Sequence, residues 1–443
     1  MTSERTQAGA AVQRRGASLS AADQAAREQS RNMMIIIAAG AVVLALSFGV
    51  RSVFGGVLEP LSRDFGWPRE VFSLSLAIQN LVWGLAQPLF GAIADRYGDR
   101  RALWLGFCLY LAGMILCVLG VSPLFQGLDA ETLIGVQHLG AGVLVGAGVS
   151  GTAFGLVLAV VGRVSPDKTR SQNLGLVTAL GSCGQVALPL FAAYLTEAYD
   201  WRVMLAVMAA LILPMAFFIP FLKAPAPSEA DRAAQEEAAK NEAGLIETLR
   251  TAFGYTSYNL LVLGFFVCGF HIAFITVHFP AFVSERCGDP ALGLQALGVV
   301  GFMNIVGAYL AGQLGARFPK PYLLSGIYAL RSLAILLFIS FPITPTTVLI
   351  FAAAIGPLWL STVPLTSGVV ASMFGLRYMG TLYGFVFLSH QLGSFLGVWL
   401  GGRLYDETGS YDIVWWVAIG LGIVSALAHL PVNEKPYRAE AAA

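Results

Sequence analysis

Two arginines sit where almost no charge belongs. Arg51 and Arg331 each lie inside a long apolar run of the 443-residue chain. A charged side chain at membrane depth costs about 2.5–3.5 kcal/mol on insertion scales. A guanidinium held there does one of two things. It presents a planar fork to an anion, most simply a carboxylate taken bidentately, or it hydrogen-bonds a neighbouring helix. No carboxylate sits at mid-depth in these runs: Glu59, Glu70, Glu131, Glu197, Glu285, Asp289, Asp406 and Asp412 all fall near their ends. An interior that holds Arg51 is therefore net positive when empty. It favours an anionic ligand and repels a cation.

Proton handling near neutral pH points to histidine. All five, His138, His271, His278, His390 and His429, lie in or beside apolar runs. His271 and His278 are seven apart and share one helix face. These two and His390 are the candidates for proton coupling, against a structural reading in which each is a neutral imidazole bonded between helices. His138 and His429, at run ends, read as structural. Gln79, Asn80, Gln87, Gln185, Asn304, Trp359, Thr362 and Gln391 complete a candidate binding set with Arg51, Arg331 and the three histidines. Such residues also serve as plain interhelical links, worth ~0.6 kcal/mol each.

No enzyme motif accompanies them. The cysteines at 108, 117, 183, 268 and 287 form no Cys-x-x-Cys pair and no zinc-ligand spacing. There is no Gly-x-x-x-x-Gly-Lys-Ser/Thr loop for a nucleotide, and Gly151-Thr-Ala-Phe-Gly155 lacks the serine of a hydrolase elbow. No metal, no cofactor and no catalytic residue is expected. A net charge of +1, from 27 basic and 26 acidic residues, gives no case for nucleic acid.

The elements that position these residues follow from composition. The chain is 56% hydrophobic and 12% charged, with a mean hydropathy of +0.70; soluble domains carry roughly 25% charged residues. A crossing helix needs roughly 20 apolar residues. Twelve such runs are found, at about 33–60, 71–93, 101–121, 132–161, 171–196, 201–222, 257–284, 291–315, 321–341, 346–373, 380–402 and 411–431. They predict an all-α membrane protein divided into a disordered cytoplasmic tail (1–32), a six-helix bundle (33–222), a cytoplasmic linker (223–256), a second six-helix bundle (257–432) and a cytoplasmic tail (433–443). Twenty of the 27 basic residues fall on the side of the termini and five on the other, which places both termini in the cytoplasm.

The two halves echo each other. Gly175, Gly184, Leu195 and Glu197 in the fifth run match Gly384, Gly393, Leu404 and Asp406 in the eleventh, at a constant offset of 209. The segment Gly312-Gln-Leu-Gly315-Ala316-Arg317-Phe318 repeats the loop after the second run at an offset of 221. That loop carries Gly91, Asp95, Arg96, Gly98, Arg100 and Arg101. In these residues the chain resembles the major facilitator superfamily, whose loop between spans two and three acts as a cytoplasmic gating motif.

Phe65-Gly66-Trp67-Pro68-Arg69, Cys268-Gly269-Phe270 and His278-Phe279-Pro280 further resemble the monocarboxylate porters and their oxalate:formate relatives. Asn304 stands where that branch has an arginine, and His390 where oxalate porters have a lysine. The resemblance implies two pseudo-symmetric six-helix bundles rocking about a midplane cavity lined by spans one, four, seven and ten. It also implies secondary transport, in a bacterial inner membrane, of a small organic anion, a monocarboxylate, together with a proton, by a monomer. Efflux, anion exchange and a non-transporting membrane sensor are the alternatives.

Overall fold

The computed structural model describes residues 2–125, 127–166, 170–223, 245–374 and 379–436, and all regular structure within them is helical. Eleven segments are long and apolar enough to cross a membrane: Ser30–Phe65, Arg69–Ala94, Asp99–Gly120, Ala130–Val164, Asn173–Ala198, Trp201–Phe221, Thr256–Cys287, Leu292–Gly315, Lys320–Ser340, Pro345–Phe374 and Asp412–His429. The sequence predicts a twelfth, in the eleventh place. There the structure has a 30-residue helix, Met379–Thr408. Its middle is interrupted by Ser389, His390, Gln391 and Ser394, all buried. Polarity is tolerated in this helix because it faces protein rather than lipid.

Four spans are broken, one of them span six, whose helix ends at Ala210 and resumes at Met215. Span one pauses at Val53 and Phe54, between helices ending at Ser52 and starting at Gly55. Span four passes through a π-helical turn, His138–Leu144, and breaks again at Ala153. Span ten stops at Ile355, turns through a 3-10 segment, Gly356–Leu358, and resumes at Thr362. Each break frees backbone groups that need partners inside the protein.

The apolar interior is arranged in halves. One cluster is built from residues 37–222, joined by Ala273, Val277, Ala281, Ala291, Leu294 and Val398. Two others are drawn entirely from residues 252–432. The internal echo holds at the level of atoms. A Cβ at Gly184 would run into the carbonyl of Ala45, and one at Gly393 into the carbonyl of Phe266. The glycines are 209 apart and their carbonyl partners 221 apart, matching both offsets of the repeat. Close backbone approach at small residues is how membrane helices pack.

The halves are tied together at one end. Asp406 accepts the backbone N–H groups of Arg69 (2.9 Å) and Glu70 (2.6 Å), capping the helix Arg69–Tyr97 from the opposite half. The equivalent residue in the repeat, Glu197, accepts from Gln295 at 3.3 Å near the start of span eight. Arg69 also pairs with Glu285 and donates to Tyr411 Oη at 2.8 Å, while Glu70 accepts from Trp399 Nε1 at 2.9 Å. At the other end, the described ion pairs Asp99–Arg163 and Lys320–Glu434 each stay within one half.

One expectation changes. The first helix is continuous from Thr2 to Ser52, where a disordered tail is expected at 1–32; this stretch is rich in Ala, Arg and Gln, all strong helix formers. In the linker, residues 224–244 lie outside the described residues, and Leu245–Gly254 forms a helix.

Candidate functional site

A cavity of about 410 Å³ lies between the halves, lined by Phe48, Arg51, Ser52, Asn80, Trp83, Gln87, Gly155, Leu158, Gln185, Ile272, Ala273, Thr276, Leu297, Val300, Gly301, Trp359, Leu360, Tyr383, Gly384, Phe387, His390 and Ser394. Spans one, four, seven and ten contribute, as the resemblance implies, and so do spans two, five, eight and eleven. The lining residues recur at helical spacing. Phe48, Arg51 and Ser52 share one face of span one; Asn80, Trp83 and Gln87 share one face of span two; Tyr383, Phe387, His390 and Ser394 share one face of span eleven.

Among the described residues, Arg51 is the only lysine or arginine lining this cavity. Its Nη2 donates to Asn80 Oδ1, and its guanidinium lies over the ring of Trp83, 5.0 Å from the centroid. Asn80 is held in turn by its own bond to Leu76 O at 2.8 Å. Among the described residues no carboxylate forms an ion pair with Arg51, and its buried Nε has no acceptor. Trp83 meets Phe48 edge-on at 5.6 Å and, from the other half, Phe387 at 5.3 Å. Phe387 stacks on His390 at 5.9 Å. An aromatic row thus bridges the halves, with Arg51 at one end and His390 at the other.

Six of the expected site residues, Arg51, Asn80, Gln87, Gln185, Trp359 and His390, meet at this cavity. The others lie behind it, each bonded to protein. Arg331 donates from Nε to Leu358 O at 3.0 Å, from Nη2 to Trp359 O, and from Nη1 to Cys268 Sγ at 3.4 Å. Asn304 Oδ1 accepts the N–H of Leu360 at 2.9 Å. These two residues satisfy the backbone freed at the break in span ten. Gln79 Nε2 donates to Ala141 O at 2.8 Å, inside the π turn of span four. Thr362 Oγ1 sits 3.2 Å from Cys268 Sγ. Gln391 Oε1 lies 3.2 Å from His390 Nδ1, beside the site rather than in it.

His271 and His278 share a helix face, as expected, but that face packs on protein. His271 Nε2 donates to Ala418 O at 2.7 Å. His278 Nε2 donates to Val398 O at 2.7 Å, and its Nδ1 is 3.2 Å from Tyr411 Oη. Since Tyr411 Oη accepts from Arg69, its proton is free to go to His278 Nδ1, which fixes a neutral tautomer from the network.

The loop after span two is built as a tight turn. Gly98 has φ +91°, and its N–H bonds Ala94 O at 2.8 Å. The side chain of Asp95 lies outside the described residues. The ion pair described here joins Asp99 to Arg163 at the end of span four; Arg96, Arg100 and Arg101 are exposed. Asp99, Phe48, Trp83, Thr276, Tyr383, Phe387 and Ser394 were not singled out by sequence reasoning. The periodicities Asn80-Trp83-Gln87 and Phe387-His390-Ser394 are the signal that would have found five of them with Tyr383 and Phe48 as their helical neighbours.

Comparison with known proteins agrees with this architecture. The sequence profile of the Major Facilitator Superfamily matches residues 40–398. The MFS-type transporter YcxA of Bacillus subtilis (strain 168) is 25% identical over 391 residues, covering 86% of this chain and 90% of its own. Monocarboxylate transporter 13 of Bos taurus is 26% identical over 392 residues, covering 87% of each. Among solved structures, a D-xylose–proton symporter superposes with a TM-score of 0.72 at 15% identity, covering 91% of this chain and 99% of its own. That last likeness speaks to the fold.

Proposed function

The chain belongs to the Major Facilitator Superfamily and is a multi-pass membrane transporter rather than an enzyme; from that premise we propose that its cargo is a small organic anion, a monocarboxylate, moved together with a proton by alternating access. One observation carries the reading: among the described residues, the cavity between the halves is lined by a single guanidinium and no carboxylate to balance it. A substrate carboxylate placed against Arg51 and Asn80 supplies the missing charge and accepts from a planar fork already oriented by Trp83.

His390 is the histidine on the cavity wall and the proposed proton carrier. His271 and His278, each with a nitrogen committed to a backbone carbonyl, serve as interhelical links. With the termini in the cytoplasm of a bacterial inner membrane, the end sealed by Arg69, Glu285 and Asp406 is external, and the described state is closed outward. The transporter works as a monomer, since the cavity is complete within one chain. The similarity to monocarboxylate transporter 13 supports the substrate class.

The test is uptake of labelled monocarboxylates into proteoliposomes, with and without an inward proton gradient, using Arg51→Gln as control. Gradient-driven uptake that the substitution abolishes is the expected result. Uptake that ignores the gradient but is stimulated by acid loaded inside replaces symport with exchange. No uptake of any acid by folded protein overturns the anion reading.

A further inference from the structure

Beyond the sign of the cargo, the cavity speaks to its body. We infer that the transported carboxylate bears an aromatic ring or an equally bulky apolar group, and is not a two- or three-carbon acid. This rests on the proposed anion site and deepens it. Arg51 supplies the one full charge on the wall, and most of the remaining surface is apolar. Four large rings, Phe48, Trp83, Trp359 and Phe387, come from four different spans and from both halves. Trp83 is covered by Arg51 on its face and braced edge-on by Phe48 and Phe387. It is therefore held as a rigid surface beside the guanidinium.

The size of the cavity leads to the same conclusion. At roughly 30 Å³ per water, about 410 Å³ is the room of a dozen or so waters. An acetate or lactate bound at Arg51 would leave most of that volume wet against apolar walls. A ring attached one or two carbons from the carboxylate reaches the aromatic row while the acid stays on Arg51. Aromatic pairs prefer edge-on or offset contacts, and the edge-to-face row already offers those geometries. Burying a phenyl group against such a wall is worth on the order of tenfold or more in affinity.

Two donors at the wall also lack acceptors. Arg51 Nε and Trp83 Nε1 are both buried without a hydrogen-bond partner among the described residues. A neutral polyol would bring its hydroxyls to a mostly apolar surface and leave the charge of the guanidinium uncompensated.

The experiment is calorimetric titration of the full-length protein in detergent. The acids are acetate, lactate, gluconate, phenylacetate, 3-phenylpropionate and indole-3-acetate, with phenylacetamide as the uncharged isostere. At least one aryl acid is expected to bind ten times or more tighter than acetate, lactate and gluconate, and ten times or more tighter than its amide. Phe387→Ala is expected to weaken the aryl acid by a larger factor than it weakens acetate. Acetate, lactate or gluconate binding as tightly as every aryl acid overturns the aromatic-body inference and leaves the anion reading standing. An amide as tight as its acid overturns both. So does the absence of binding by all seven compounds in protein that still melts cooperatively.

Discussion

Asp406 caps a helix that belongs to the other half of the molecule: its Oδ2 accepts the backbone N–H of Glu70 at 2.6 Å, while Oδ1 takes that of Arg69. The residue preceding this helix, Pro68, makes no side-chain cap of its own. The N–H groups of Arg69 and Glu70 are therefore satisfied by this carboxylate only while the halves are closed at this end, whereas that of Val71 bonds Pro68 O within its own half. Glu197 and Gln295 make the corresponding contact in the repeat. The polar part of the seal at this end is thus made of helix ends, and it stands beside apolar residues of the second half, among them Ala281, Ala291 and Leu294, that pack into the cluster of the first.

Asp406→Asn should weaken that seal. An anion at a helix N-terminus is worth about 0.3–1 kcal/mol, and up to ~2 where partly buried, so the closed population should fall roughly two- to thirtyfold. Spin labels at the exposed positions Arg63 and Arg286, read by pulsed distance measurement, should show a larger fraction of long distances. Unchanged distance distributions would remove Asp406 from the gate.

Arg51→Lys keeps the charge and discards the planar fork and its stacking on Trp83. The expected result is retained but weakened uptake, with KM raised about tenfold, because a point charge cannot take a carboxylate bidentately. Wild-type KM in the lysine variant would mean that charge alone suffices.

Arg331→Met should cost stability rather than affinity. The substitution leaves the carbonyls of Leu358 and Trp359 without the donor that now reaches them, at about 1–3 kcal/mol for each buried group left unpaired. A lowered Tm with KM within about twofold of wild type is expected. A large rise in KM at unchanged Tm would instead move Arg331 into the binding site.

His390→Gln should abolish stimulation by a proton gradient while counterflow of substrate persists, since the side chain lines the cavity. His271→Gln, whose partner is the Ala418 carbonyl, should retain gradient stimulation. The reverse pattern in transport assays would transfer the proton from span eleven to span seven.

Gly184→Ala and Gly393→Ala should each lower Tm, because the new Cβ meets a backbone carbonyl of the adjacent span; overpacking of this kind costs about 1–3 kcal/mol. Gly91→Ala, where a Cβ would meet nothing within 4 Å, should leave Tm unchanged. Equal behaviour of all three would contradict the close packing.

Much of this was readable in the sequence, and the rest was not for identifiable reasons. Span positions follow from apolar runs, so the fold emerged almost whole; the helix Met379–Thr408 is short of apolar residues because half its length faces protein. Arg51 was legible as a buried charge with no partner on offer. Arg331 carries the same sequence signal and sits elsewhere, because the break in span ten that it repairs is a matter of backbone geometry. Gln79 and Asn304 are hidden in the same way: one serves a π turn, the other the same break. Phe48, Trp83 and Phe387 escaped because apolar aromatic residues in an apolar chain announce nothing until two halves bring them together.

The unbalanced guanidinium of Arg51 finally bears on electrical work. An empty carrier that swings this cation across the bilayer moves charge through the membrane field, at about 2.3 kcal/mol per elementary charge for each 100 mV. A carrier loaded with a monocarboxylate alone moves a neutral pair and is indifferent to voltage at that step. With the cell interior negative, the field pulls the empty carrier toward the cytoplasmic side and slows its return. The fraction of the field that Arg51 crosses would then decide how strongly membrane potential sets the turnover of the transporter.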